Sequence, residues 1–427
     1  MPSLPPEGEQ PPSDGSLPPS ALSSVGTRPF GIYLHVPFCN TRCGYCDFNT
    51  YTATELSGDV RRDTFGEVLQ SEVAFAREIT GPVEVDTVFV GGGTPTLLGA
   101  ESLVRLLDEI RGQYGLAAGA EVTTEANPDT VDQAMLDRLR AGGYTRISFG
   151  VQSAASSVLR ILERTHTAGN AQRAIAMARA AGFEHVSADL IIGTPGETDE
   201  DLEASLDLVV GSGVDHVSAY SLIVEAGTPL ARRVQRGEIP MPDDDTAAHR
   251  YEMVDDALAA SGFAWYEVSN WARPGGECRH NVNYWASHDW WGVGPGAHSH
   301  IGGVRWWNER HPSTYAARLA GGHSPAQGRE RLTPDQQHME TVMLALRMAS
   351  GLPISAVPAT GHSPVEVERE GERGVEGGLG SAVGTGSVIA RLADDGLVDP
   401  HAAAAGVLVL TRRGRLLADA VIRDLLD

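Results

Sequence analysis

Six short apolar runs, each followed by an amphipathic stretch, dominate the first half of this 427-residue chain. The runs begin at Gly31 (GIYLHV), Val85 (VDTVFV), Glu121 (EVTTEA), Arg146 (RISFGV), His185 (HVSADLII) and His216 (HVSAYSLIV). Their length and β-branched content predict strands, and helical periodicity predicts helices over 61–78, 101–114, 131–140, 170–181 and 199–210. Strand and helix alternating in this way pack as a parallel sheet with right-handed crossovers. Six units predict the α/β class, with the sheet curled into a partial (β/α)6 barrel. In such barrels the functional groups gather beyond the C-terminal ends of the strands.

The end of the first run is rich in chemistry. Cys39, Cys43 and Cys46 in PFCNTRCGYC are spaced C-x3-C-x2-C. A zinc ribbon would need paired C-x2-C knuckles, and four cysteines in 427 residues, with no secretory leader, do not make a disulfide scaffold. Three thiolates suit an iron–sulfur cluster, which ordinarily takes four, and would leave one iron without a protein ligand. The remaining cysteine, Cys278, reads as an ordinary thiol, because C-R-H is not the C-x-x-C-H of a covalent heme site. Polar groups also follow other strands: GGGTPT from Gly91, Glu125 in TEANP, Gln152 in GVQS and Asp189 in ADLIIG. The glycine run lacks the GK[ST] of a phosphate loop and alone suits a turn. Each polar residue alone suits a strand end satisfied by a helix N-terminus, whereas aligned ends together suit a ligand site.

The cysteine spacing and these strand-end phrases resemble the radical S-adenosylmethionine (SAM) superfamily. Within it they resemble the oxygen-independent coproporphyrinogen III dehydrogenase-like subgroup, from about Tyr33 to Asp427. The resemblance implies a TIM-like radical SAM barrel and a [4Fe-4S] cluster on Cys39, Cys43 and Cys46. It implies SAM on the free iron, cleaved by one electron to methionine and a 5'-deoxyadenosyl radical. It implies SAM contacts at Tyr33, Tyr45, Gly92, Gly93, Thr94, Glu125, Gln152, Arg164 and Asp189, and an electron donor such as a flavodoxin or ferredoxin.

Two places separate the branches of that subgroup. The dehydrogenases continue C-x3-C-x2-C-x-C, and here the last position is Phe48, which offers no thiol. RHNVNYW, residues 279–285, resembles the HNxxYW motif of the HemW-like heme chaperones. That likeness implies heme at His280, Asn281, Tyr284 and Trp285, and transfer of heme to acceptor hemoproteins. A neutral imidazole is a common heme ligand, and aromatic rings suit a porphyrin face. Five of the seven tryptophans fall between Trp285 and Trp307. The same rings also suit a seal over the open side of the barrel, with His280 a hydrogen-bonded structural residue. Two functions therefore stand: a heme chaperone that keeps the radical SAM core, and a dehydrogenase that decarboxylates propionate side chains. Phe48 and the RHNVNYW segment favour the chaperone.

A net charge of −23 argues against nucleic-acid binding, which needs a basic face. All 33 basic residues are arginine, so neither a Schiff-base lysine nor a phosphate-loop lysine exists. No apolar run reaches the ~18 residues of a membrane span. This fits a cytoplasmic protein, leaves peripheral membrane association open, and does not choose between monomer and dimer. Residues 1–28, rich in proline, glycine and serine, read as a disordered tail, and 29–312 as the radical SAM core with an extension carrying HNxxYW. Residues 313–427 read as a small helical or winged-helix-like, HemN-like C-terminal domain, with a flexible insertion at 359–386. No dense basic recognition helix accompanies it, so DNA binding does not follow.

Overall fold

The computed structural model describes residues 8–56, 60–357 and 384–426. The chain forms two compact units, one of Met1–Trp265 with Ser269–Thr333 and one of Tyr266–Val268 with Pro334–Asp427.

In the first unit the six apolar runs become β1 (Phe30–Val36), β2 (Val85–Gly92), β3 (Leu116–Ala126), β4 (Arg146–Gln152), β5 (His185–Ile192) and β6 (His216–Ser221). They pair in chain order and all in parallel. Helices Phe65–Thr80, Ala100–Gln113, Gln133–Gly142, Ala168–Ala180 and Asp199–Gly211 fill the crossovers, within a few residues of the periodic stretches. Local chemistry sets their ends. The Asp132 side chain accepts the Met135 N–H, and Gly143 at φ 105° closes the same helix. Thr198 and Asp201 form a reciprocal capping box. Ile32, Leu34, Val88, Val90, Ile147 and Phe149 are all buried, as expected of parallel strands covered by crossover helices.

The sheet continues past β1. Strand Asp289–Val293 pairs with it in parallel, and His298–Ile301, Val304–Asn308 and Ala326–Arg331 follow antiparallel. Gly302 and Gly303, both at positive φ, make the hairpin turn between two of these strands. Trp291, Trp306 and Trp307 are buried here, and Trp291 meets Trp306 edge-on at 4.9 Å. Buried Glu72, on helix Phe65–Thr80, ties this extension down. It accepts hydrogen bonds from Gly294 N–H (2.7 Å), Asn308 Nδ2 (2.8 Å), Trp291 Nε1 (3.3 Å) and the Tyr315 hydroxyl.

The tail expected over 1–28 is a correction from Gly8 onward. Glu9 pairs with Arg329 (2.9 Å) and Arg331 (2.8 Å), Ser24 and Arg28 reach Asp289, and Ala21 is fully buried. Its polar, proline-rich composition conceals a segment held by a few anchors, whose prolines reduce the entropy lost on docking. The boundary expected after residue 312 also moves. Helix Pro312–Ala320 and strand Ala326–Arg331 belong to the first unit, because Tyr315 is buried in its core against Glu72. In the second unit, helices Pro334–Ala345, Thr385–Asp394 and Ala418–Leu426 accompany an antiparallel pair, Leu352–Pro353 with Val407–Leu408. Its own core includes Val342, Leu392, Leu408 and Val421. Of the insertion expected at 359–386, residues 359–383 lie outside the described residues.

Candidate functional site

β1 runs straight into the cysteine loop at the C-terminal rim of the barrel. Cys39 N–H donates to Tyr51 O (3.0 Å), Gly93 N–H to Val36 O (2.8 Å) and Thr94 N–H to Phe38 O (2.7 Å). Asn49 Nδ2 donates to the carbonyls of Pro295 (2.9 Å) and Arg310 (2.8 Å). His35 lies between the Tyr33 hydroxyl (3.0 Å) and Asn49 O (2.9 Å), and burial holds it neutral with a pKa of about 4. A Cβ on Gly93 would stand 2.4 Å from Phe38 O, and one on Gly92, at φ 108°, would stand 2.6 Å from His35. Glycine is therefore required where GGGTPT meets the loop.

Cys39, Cys43 and Cys46 line a cavity of about 580 Å³. Burial pushes the Cys39 and Cys46 thiols up, Cys46 to about 12. They are thiols in the metal-free protein, and binding iron is what would ionise them. Among the described residues no three His, Cys, Asp or Glu side chains are gathered closely enough to hold one metal ion. Arg164 directs Nη1 at Cys43 Sγ (3.4 Å) and Nη2 at Gly150 O (2.7 Å), while its buried Nε has no partner among the described residues.

Two half-buried carboxylates face the same cavity. Glu125 accepts from Gly92 N–H (3.1 Å), and Asp189 from Ser148 (3.0 Å) and from Ser218. Burial, reinforced by the nearby Asp189, pushes Glu125 to about 8, and burial pushes Asp189 to about 6. Neither forms an ion pair among the described residues, so a positively charged ligand such as the ammonium or sulfonium of SAM would complement them. Gln152, at φ 65° where the β4–β5 register breaks, turns the end of β4 into the cavity.

The opposite end of the cavity is closed by helix Arg279–Trp285. His280 is 1% exposed and stacks on Phe89 at 5.3 Å. Its Nδ1 meets Thr87 Oγ1 and its Nε2 meets the Tyr284 hydroxyl, both at 2.8 Å. A hydroxyl donates or accepts as required, so both nitrogens are satisfied in either tautomer. Burial keeps the ring neutral, with a pKa of about 4. The His280 N–H (3.1 Å) and the Cys278 thiol (3.5 Å) donate to Glu121, itself ion-paired with buried Arg146 at 3.1 Å. Arg146 Nη2 donates to the carbonyls of Gly276 and Glu277. His280 thus turns no free nitrogen to a heme iron here, and ligation would require it to give up the Tyr284 hydroxyl.

Around this one cavity stand Tyr33, Tyr45, Gly92, Gly93, Thr94, Glu125, Gln152, Arg164 and Asp189 with the three cysteines, and also His280, Asn281 and Tyr284. Trp285 is half-buried and lies off it. Residues 33–209 match the Radical SAM superfamily. The heme chaperone HemW of Mycobacterium tuberculosis is 53% identical over 405 residues, 95% of this chain and 97% of that protein. HemW of Bacillus subtilis is 33% identical over 91% of this chain and 97% of its own. The chain belongs to the HemW family. The fold of this HemW-family chain is also that of Escherichia coli coproporphyrinogen III oxidase (HemN), a radical SAM enzyme, with a TM-score of 0.76 at 24% identity over 95% and 92% of the two chains. Membership of the radical SAM superfamily implies a [4Fe-4S] cluster and SAM, and the thiols, glycine cradle and cavity carboxylates fit both.

Sequence reasoning missed the props behind this HemW-family site: His35, Asn49, Thr87 and the Glu121–Arg146 pair. The pair did leave a signal, a charged residue at the head of each of the runs EVTTEA and RISFGV. Charge opening an inward-facing strand calls for a partner.

Proposed function

We propose that this HemW-family chain is a heme chaperone that retains a radical SAM centre. It binds heme and delivers it to acceptor hemoproteins in the cytoplasm, with a flavodoxin- or ferredoxin-type donor reducing its cluster. The observation that carries the reading is the 53% identity to a heme chaperone across nearly the full length of both chains. Phe48, standing where the dehydrogenase signature has a cysteine, points the same way.

Cys39, Cys43 and Cys46 would hold the cluster, and one-electron cleavage of SAM is the chemistry it supplies when bound. The protein's own part is positional. Gly92, Gly93 and Thr94 let a ligand approach the backbone, Glu125 and Asp189 orient its positive groups, and Arg164 sets its charge against Cys43. Tyr33, Tyr45 and Gln152 complete the wall, and the helix carrying His280 excludes water from below.

An anaerobic sample with reconstituted cluster should bind one hemin per chain. Given SAM, a reductant and coproporphyrinogen III, it should form no protoporphyrinogen IX. Turnover of the porphyrinogen would sink the reading in favour of the dehydrogenase.

A further inference from the structure

We propose that heme docks at the mouth of the cavity, its porphyrin face against Phe48 and Tyr220; this inference rests on the heme-chaperone reading. Large apolar side chains are exposed at seven places among the described residues, and two of them, Phe48 (58%) and Tyr220 (43%), line this one cavity. Ile223, 67% exposed, follows Tyr220 just beyond the end of β6. Exposed rings at a concave opening mark a site for a flat apolar ligand.

Both rings stand on fixed backbone. Phe48 lies two residues after Cys46, and its carbonyl accepts the Thr50 N–H at 2.7 Å. Tyr220 pairs with Ile191 of β5, over an apolar cluster that includes Leu222 and Leu230. The cysteine loop also carries a cation, Arg42, which stands outside the cavity lining and donates to Thr50 O. Arg42, beside Cys43, forms an ion pair with Glu55 at 3.2 Å in which both side chains are over a third exposed. Such a pair contributes little, so Arg42 can exchange Glu55 for a ligand carboxylate. In a chain of net charge −23, a cation on the loop that carries Phe48 suits a porphyrin dicarboxylate. At the other end of the cavity both His280 nitrogens are already hydrogen-bonded, to Thr87 and Tyr284.

Heme seated here would cover the loop that carries Cys39, Cys43 and Cys46. Heme occupancy and access to the cluster thereby become linked, which gives a chaperone a reason to keep the cluster.

The test is a hemin titration of the full chain with reconstituted cluster, read at the Soret band. Phe48→Ser and Tyr220→Ser should each weaken binding about tenfold, the scale of one lost aromatic contact with its buried area. Arg42→Ala should weaken it a few-fold, and Met343→Ser, an exposed apolar residue of the second unit, should not change it. Phe48 is exposed, so its variant should keep the iron content of wild type. A Phe48→Ser/Tyr220→Ser double variant that titrates like wild type overturns the docking site, even if heme transfer to an acceptor falls. Wild type that binds no hemin overturns the chaperone reading itself.

Discussion

The two ends of the barrel cavity are built on opposite principles. At the C-terminal rim, polar groups are left incomplete: the Arg164 Nε has no partner among the described residues, the Cys46 thiol is pushed to about 12, and Glu125 is raised to about 8. At the floor, every group named is matched. His280 has a hydroxyl on each nitrogen, Glu121 has Arg146, and Arg146 has two carbonyls. Burying polar groups is costly unless they are satisfied, so incomplete groups are tolerated where a ligand completes them. The difference fits the proposed ligand handling at the rim and closure at the floor.

The sharpest way to break this contrast is at the cysteines. Replacing Cys39, Cys43 or Cys46 by Ala should abolish cluster reconstitution, measured as iron and sulfide per chain, while Cys278→Ala should retain it. Loss of the cluster in the Cys278 variant would join the floor to the metal site.

Floor substitutions should instead cost stability. Arg146→Met strands Glu121 in the interior and should cost about 3–5 kcal/mol in denaturant unfolding. His280→Ala orphans two hydroxyls and should cost about 1–3 kcal/mol, with the hemin Soret band kept. A weakened Soret band at unchanged stability would restore His280 as an iron ligand.

The smallest effect concerns Glu125. Its pKa is raised from 4.5 to about 8 in the fold, so the stability it contributes is full below about pH 4.5 and is lost as pH rises through about 8. In SAM-free protein, Glu125→Gln should melt a few degrees above wild type at pH 8 and close to it at pH 5. Equal melting at both values would mean that Glu125 already has a counter-charge.

Much of the barrel was legible because parallel strands and their crossover helices leave separate periodicities. VDTVFV and the stretch 101–114 each declare their own element. The sheet extension was less legible. Trp290, Trp291, Trp306 and Trp307 suited either a porphyrin face or a seal over the open side of the barrel, and Gly302 and Gly303 between two short runs marked the hairpin that carries Trp306 and Trp307. The expected site residues followed strand ends and motif likeness, and the cavity gathers nearly all of them. Their props did not follow, because Glu121 with Arg146, Asn49 with Arg310 and His280 with Thr87 meet only through tertiary closure. Trp285 illustrates the reverse: it belongs to the motif, yet it lies off the cavity that its neighbour Tyr284 lines.

One comparison on a single anaerobic, cluster-loaded sample tests the central claim most directly: hemin binding measured beside coproporphyrinogen III turnover with SAM and reductant. A heme chaperone should give a saturable Soret band and no protoporphyrinogen IX. Protoporphyrinogen IX forming without saturable hemin binding would contradict that function.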